Sequence, residues 1–198
     1  MEISPILIDA IRVLHLLCFA AGMGIAVFFD WRTLQSLHVR ISQDDLHVLG
    51  EIHSWIKMAF GGLWITGIAL VYIRTGFELS NFTPKLITKL TVMTLMLLNV
   101  KAIARYVLPV FAENVGRSML ELPYTKLAGM SQCAINSICF WLAGLALGSS
   151  VVLKTAGWDV LLPMTLGGFV LFTLGGQLIM LAMLLRHKLT QSRQSKNA

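Results

Sequence analysis

Residues 5–29 read PILIDAIRVLHLLCFAAGMGIAVFF. As a helix this run is long enough to cross a bilayer core of about 30 Å, which takes roughly 20 residues. Asp9, Arg12 and His15 interrupt it at three-residue spacing, which places them along one helical face. A charged group at the centre of a spanning helix costs roughly 2.5 to 3.5 kcal/mol, and such groups usually turn inward and mark a site. The run therefore points to a membrane protein and to the first place to look for function.

Four further apolar runs follow, approximately over 50–73, 87–109, 129–153 and 159–185. Charged residues make up 13% of the chain and apolar ones 56%, against roughly 25% and 45 to 50% in soluble domains. Backbone groups in lipid must be satisfied internally, and runs of this length read as five helices rather than a barrel. The expected fold is all-α: a polytopic five-helix transmembrane bundle, a four-helix core plus an extra C-terminal helix. Residues 1–186 form one domain in this reading and 187–198 a basic, polar tail. Glu2 precedes the first run with no Lys or Arg beside it, so the N-terminus reads as retained rather than as a cleaved signal.

An odd number of helices puts Arg32, Arg40, Lys101, Arg105, Arg117, Lys126, Arg186, Lys188, Arg193 and Lys196 on one side and Arg74, Lys85, Lys89 and Lys154 on the other. The excess predicts a multi-pass bacterial inner-membrane protein with the tail cytoplasmic and the N-terminus outside. This distribution explains the net charge of +6 without nucleic acid. Trp31 and Trp55 are expected near the inner interface and Trp158 at the outer one. Cys18, Cys133 and Cys139 fall within apolar runs, where packing is the expected role. Gly144 and Gly148 share a face suited to close helix contact, inside the bundle, in a homo-oligomer or within a larger complex.

Depth along the helices sorts the polar groups. With a rise of 1.5 Å per residue, His15 is expected about 13 Å below the outer surface, Met96 near the same level, and His53 with Lys57 about 10 to 15 Å deeper. Two ligands of one haem must agree in depth, so His15 pairs better with Met96 than with His53, while His53 with His38 or His47 would make a separate inner site.

Arg12-Val-Leu-His15 in the first helix, Arg32 after it, Lys89-Leu-Thr opening the third, Arg105 at its end and Ala134-Ile-Asn136 opening the fourth resemble HemJ-type protoporphyrinogen oxidases and CopD-like membrane proteins, over roughly residues 8–154. The resemblance implies a four-helix core that binds b-type haem, with a first-helix histidine and a third-helix lysine as functional residues; by position these are His15 and Lys89. Where that family carries a further third-helix histidine this chain has Asn99 or Val100, so the resemblance implies a haem-binding redox protein rather than a particular substrate.

The leading expectation is therefore a membrane redox protein, an oxidoreductase or electron carrier, that binds haem b and meets redox partner proteins. His15 is its axial ligand and metal-binding residue, Met96 and His53 are further candidates for the cofactor, and Lys89 and Arg12 are catalytic or face the propionates. The competing expectations are an ion, proton or metal transporter lined by Asp9, Arg12, His15 and Lys89, and a structural subunit of a complex.

Overall fold

The computed structural model describes residues 4–196. It is an all-α bundle with five helices long and apolar enough to span a membrane. α1 covers Pro5–Gln35 and α2 Gln43–Thr75; α3, Pro84–Ala102, runs through a π turn at Ile103–Val107 into the short α4, Leu108–Glu113; α5 covers Tyr124–Ser149 and α6 Trp158–Lys196.

The helices outrun the apolar stretches at several ends, for local reasons. α2 starts at Gln43 rather than near 50 because Ser42 and Asp45 form a reciprocal capping box, and it stops where Gly76 adopts a left-handed φ of 59°. α3 starts at Pro84, whose missing N–H is harmless in a first turn, with the Thr83 hydroxyl accepting from the Leu86 amide at 3.3 Å. Pro109 does not end this helix, because the π turn just before it absorbs the lost hydrogen bond. The segment read as a polar tail continues α6 as helix to Lys196; residues 197 and 198 of that segment lie outside the described residues. α1 runs six residues past Phe29, which brings Asp30 inside a helix.

α1 and α2 form the closest pair in the bundle, and α5 packs on α3 and α6. Small residues set the first seam. A methyl group at Gly62 would lie 2.7 Å from Cys18 Sγ, and one at Gly22 would lie 2.5 Å from the Trp141 ring and 3.5 Å from Ala59 Cβ. Gly144 receives Phe19 in the same way, at 3.2 Å, so this glycine serves a contact within the bundle. Gly22→Val is accordingly expected to lower the unfolding midpoint in detergent by the equivalent of about 1 to 3 kcal/mol, the usual cost of overpacking. An unchanged midpoint would mean that the seam between α1 and Trp141 is loose.

At one end of the bundle the 36–42 and 114–123 connections clasp each other. The Ile41 amide donates to Arg117 O at 3.0 Å, the Gly116 amide to Ile41 O at 2.8 Å, and Ser118 Oγ to Leu37 O at 2.9 Å. Leu37, Ile41, Phe111 and Met119 pack beneath the clasp, while a second core of Phe60, Leu63, Met96, Phe140, Trp141 and Leu147 fills the other half. Trp31 and Trp55 lie toward the clasp end and Trp158 opens α6 at the other, and all three are exposed.

Candidate functional site

The ionisable residues of the first apolar run divide between two places. Arg12 bonds Asp9 at 3.0 Å, but their side chains are 63% and 71% exposed, so this pair lies on the surface of α1. Removing it is expected to matter little: Asp9→Asn should shift stability by less than about 1 kcal/mol, read as the detergent unfolding midpoint, because exposed ion pairs contribute that little. A larger loss would show that the pair is screened from water. His15 turns inward against α2, where its Nδ1 meets Thr66 Oγ1 at 2.9 Å. Thr66 donates its own hydroxyl to Gly62 O at 2.7 Å, so it accepts from His15, whose Nδ1 carries the proton.

Lys89 is half-buried on α3. Lys85, one turn earlier, donates to Ser150 O at 3.0 Å and ties α3 to the connection before α6. The structure thus turns His15 inward and leaves Arg12 on the surface.

His53 is in a different place. The contacts His15 with Gly67, Cys18 with Gly62 and Gly22 with Ala59 define an antiparallel register. His15 therefore sits opposite a residue some fourteen positions beyond His53, a separation of about 20 Å along the axis at 1.5 Å per residue. The two histidines do not share a site. The same register sets Asp30 of α1 within about 3 Å of the depth of His53.

His53 lines a cavity of about 660 Å³ whose walls come from α1, α2, α3, α5 and α6. Met96 and Asn99 line it from α3, Trp141 from α5 and Met180 from α6; His15 does not. Met96, matched with His15 by depth in the sequence reading, is on the cavity wall with His53. The wall is almost wholly apolar, and among the described residues Asp30 is the one acidic side chain in it and no Lys or Arg joins it. Val27, Trp31 and Leu34 of α1 and Leu171, Phe172 and Ile179 of α6 line the cavity while being substantially exposed, so it opens sideways between α1 and α6, toward the acyl chains of a surrounding bilayer.

Four buried side-chain polar atoms among the described residues have no hydrogen-bond partner: Asp30 Oδ2, His53 Nε2, Trp64 Nε1 and Trp141 Nε1. Three of these four residues line the cavity. His53 is 6% exposed and Trp141 1%. Buried polar groups in native proteins are nearly always satisfied, so orphans on residues that line one cavity are a chemical signature. Searches against family models, curated proteins and solved structures gave no match, and the site stands on this geometry.

One side of the cavity is braced by an amide ladder that the sequence reading did not anticipate. Asn99 Nδ2 donates to Cys133 O at 2.9 Å and Asn136 Nδ2 to Asn99 Oδ1 at 3.4 Å; Gln132 Nε2 donates to Asn136 Oδ1 at 2.7 Å, and Gln177 Nε2 to Gln132 Oε1 at 3.0 Å. These bonds tie α3, α5 and α6 together, at typically about 0.6 kcal/mol each for bonds between membrane helices. Asp30 and Trp141 were also missed: Asp30 because the apolar run ends at Phe29, Trp141 because a buried tryptophan in an apolar run reads as packing. His38 and His47 are exposed, His47 facing Glu51 at 3.8 Å, and neither lines the cavity with His53. Among the described residues no group of three or more His, Cys, Asp and Glu side chains could hold a metal ion.

Proposed function

We propose that this chain is a multi-pass membrane protein that binds a lipid-soluble redox ligand inside the bilayer, in the cavity between α1 and α6. The carrying observation is that His53, Asp30 and Trp141, each with a buried polar atom that has no partner, all line an apolar cavity of about 660 Å³. Small-molecule sites occupy roughly 300 to 1,000 Å³ and combine apolar walls with a few convergent polar groups. The polar atoms fix the orientation of the ligand, and the sideways opening makes the bilayer its source. The redox character rests on the resemblance to HemJ-type and CopD-like proteins. Organic extraction of the purified protein followed by mass spectrometry is expected to release one apolar molecule in near-stoichiometric amount. Release of bulk phospholipid alone would overturn the reading.

A b-type haem is the second reading, favoured because His53 and Met96 line the same cavity. The fit is partial. His53 Nε2 and the Met96 thioether are the groups that would hold the iron, and a haem so bound would supply one-electron chemistry. Among the described residues no Lys or Arg lines the cavity to receive the propionates. A red protein with a reducible Soret band, lost in His53→Ala and kept in His15→Ala, would establish haem at this cavity; the reverse pattern would move it to His15 and Lys89.

The orientation proposed is that of the basic residues, with the clasp end and C-terminus cytoplasmic and the N-terminus outside a bacterial inner membrane. Single cysteines introduced at Ser4 and at Ser195 test it. Labelling by an impermeant reagent on sealed cells is expected at Ser4→Cys only, and equal labelling of both would contradict the topology.

A further inference from the structure

We infer that the ligand of this cavity is a membrane hydroquinone whose ring hydroxyls donate to Asp30 and His53. This rests on the cavity being a ligand site and names what it takes. Asp30 and His53 lie on adjacent helices within about 3 Å of the same depth, and both line the cavity. Each has one buried atom without a partner, Oδ2 and Nε2. A carboxylate oxygen accepts, and a neutral imidazole accepts through Nε2 when its proton sits on Nδ1; in that state the pair takes two donors held apart on one rigid body. The head group must also be uncharged or nearly so. Among the described residues the wall holds no Lys or Arg, which disfavours a phosphate or a free carboxylate, and the lone Asp30 would repel either.

The remainder of the cavity selects the rest of the molecule. Its walls are apolar and include Phe29, Phe111 and Phe172, and the gap between α1 and α6 leaves room for a tail to pass into lipid. A hydroquinone with an isoprenoid or alkyl tail meets each requirement: two hydroxyl donors on a flat ring, no charge, and arrival by lateral diffusion. The oxidised quinone also finds partners here, because a carboxyl group and an imidazole each change from acceptor to donor on taking up one proton. The same pair therefore serves both forms of the ligand. A lipophilic amine is the nearest competitor, since it would satisfy Asp30 through its charge.

The test uses the full-length protein in phosphatidylcholine nanodiscs and reads the rise in unfolding midpoint with added ligand. Three probes carry similar tails: decylubiquinol kept reduced under nitrogen, decylbenzene without hydroxyls, and dodecylamine. Decylubiquinol is expected to bind at least about tenfold more tightly than either of the others, and Asp30→Leu and His53→Leu each to weaken it by about tenfold or more, the scale of a hydrogen bond lost at a buried site. Decylbenzene or dodecylamine binding as well as the quinol, or undiminished quinol binding by the two leucine variants, would overturn the hydroquinone assignment and leave a cavity that binds something else. If no probe binds the wild type, and Gly175→Trp, placed on the cavity wall, alters no copurifying molecule, the cavity reading fails and the inference with it.

Discussion

Asp30→Leu is expected to make the ligand-free protein more stable while weakening ligand binding by about tenfold or more. Asp30 lines an apolar cavity and its Oδ2 has no hydrogen-bond partner. Burying a polar group without a partner costs on the order of 1 to 3 kcal/mol, and more if it is charged. Leucine removes that cost and adds apolar contact, so the unfolding midpoint of ligand-stripped protein should rise by the equivalent of about 1 to 3 kcal/mol. Function commonly keeps such destabilising groups in place, and a stabilised but inactive variant is their usual mark. A drop in stability would mean that Asp30 has a structural partner and is no orphan.

Trp141→Ala should destabilise the bundle more than Gly22→Val or Asp9→Asn. The side chain is 1% exposed, packs edge to face on Phe19 with ring centroids 5.2 Å apart, and fills the space left by Gly22. Truncating a buried aromatic to alanine costs about 3 to 5 kcal/mol. Trp158, 42% exposed at the start of α6, is the matched control and should change the midpoint little on the same substitution. A loss below about 1 kcal/mol at Trp141 would indicate that α1 and α5 separate readily and that the cavity has no fixed wall between them.

The bundle was legible in the sequence because apolar run length alone identifies spanning helices, and all five are present. Helix ends were less so: the capping box at Ser42 and the π turn before Pro109 extend helices through polar or proline-bearing sequence that hydropathy treats as loop. That difference decided the site. Asp30 lies one residue past the apolar run yet inside α1, and its depth relative to His53 follows from the α1 and α2 register, which glycine contacts set and a single sequence does not reveal. The three-residue spacing of Asp9, Arg12 and His15 was real, but a helix advances about 100° per residue, so His15 reaches α2 while Asp9 and Arg12 stay on the surface. His53 was legible as a candidate and its partners were not, because Trp141 and Asp30 come to it from other helices.

Occupancy of the cavity between α1 and α6 by a lipid-soluble molecule can be read directly. Gly175 lies on the cavity wall with open space where a side chain would begin, so tryptophan there fills the cavity without displacing a neighbour at the first carbon. Native mass spectrometry of protein released from nanodiscs compares the two forms. The expected result is an apolar molecule bound one to one in the wild type and absent from Gly175→Trp of equal stability; a bare wild type, or the same molecule retained by both, would contradict a ligand site in this cavity.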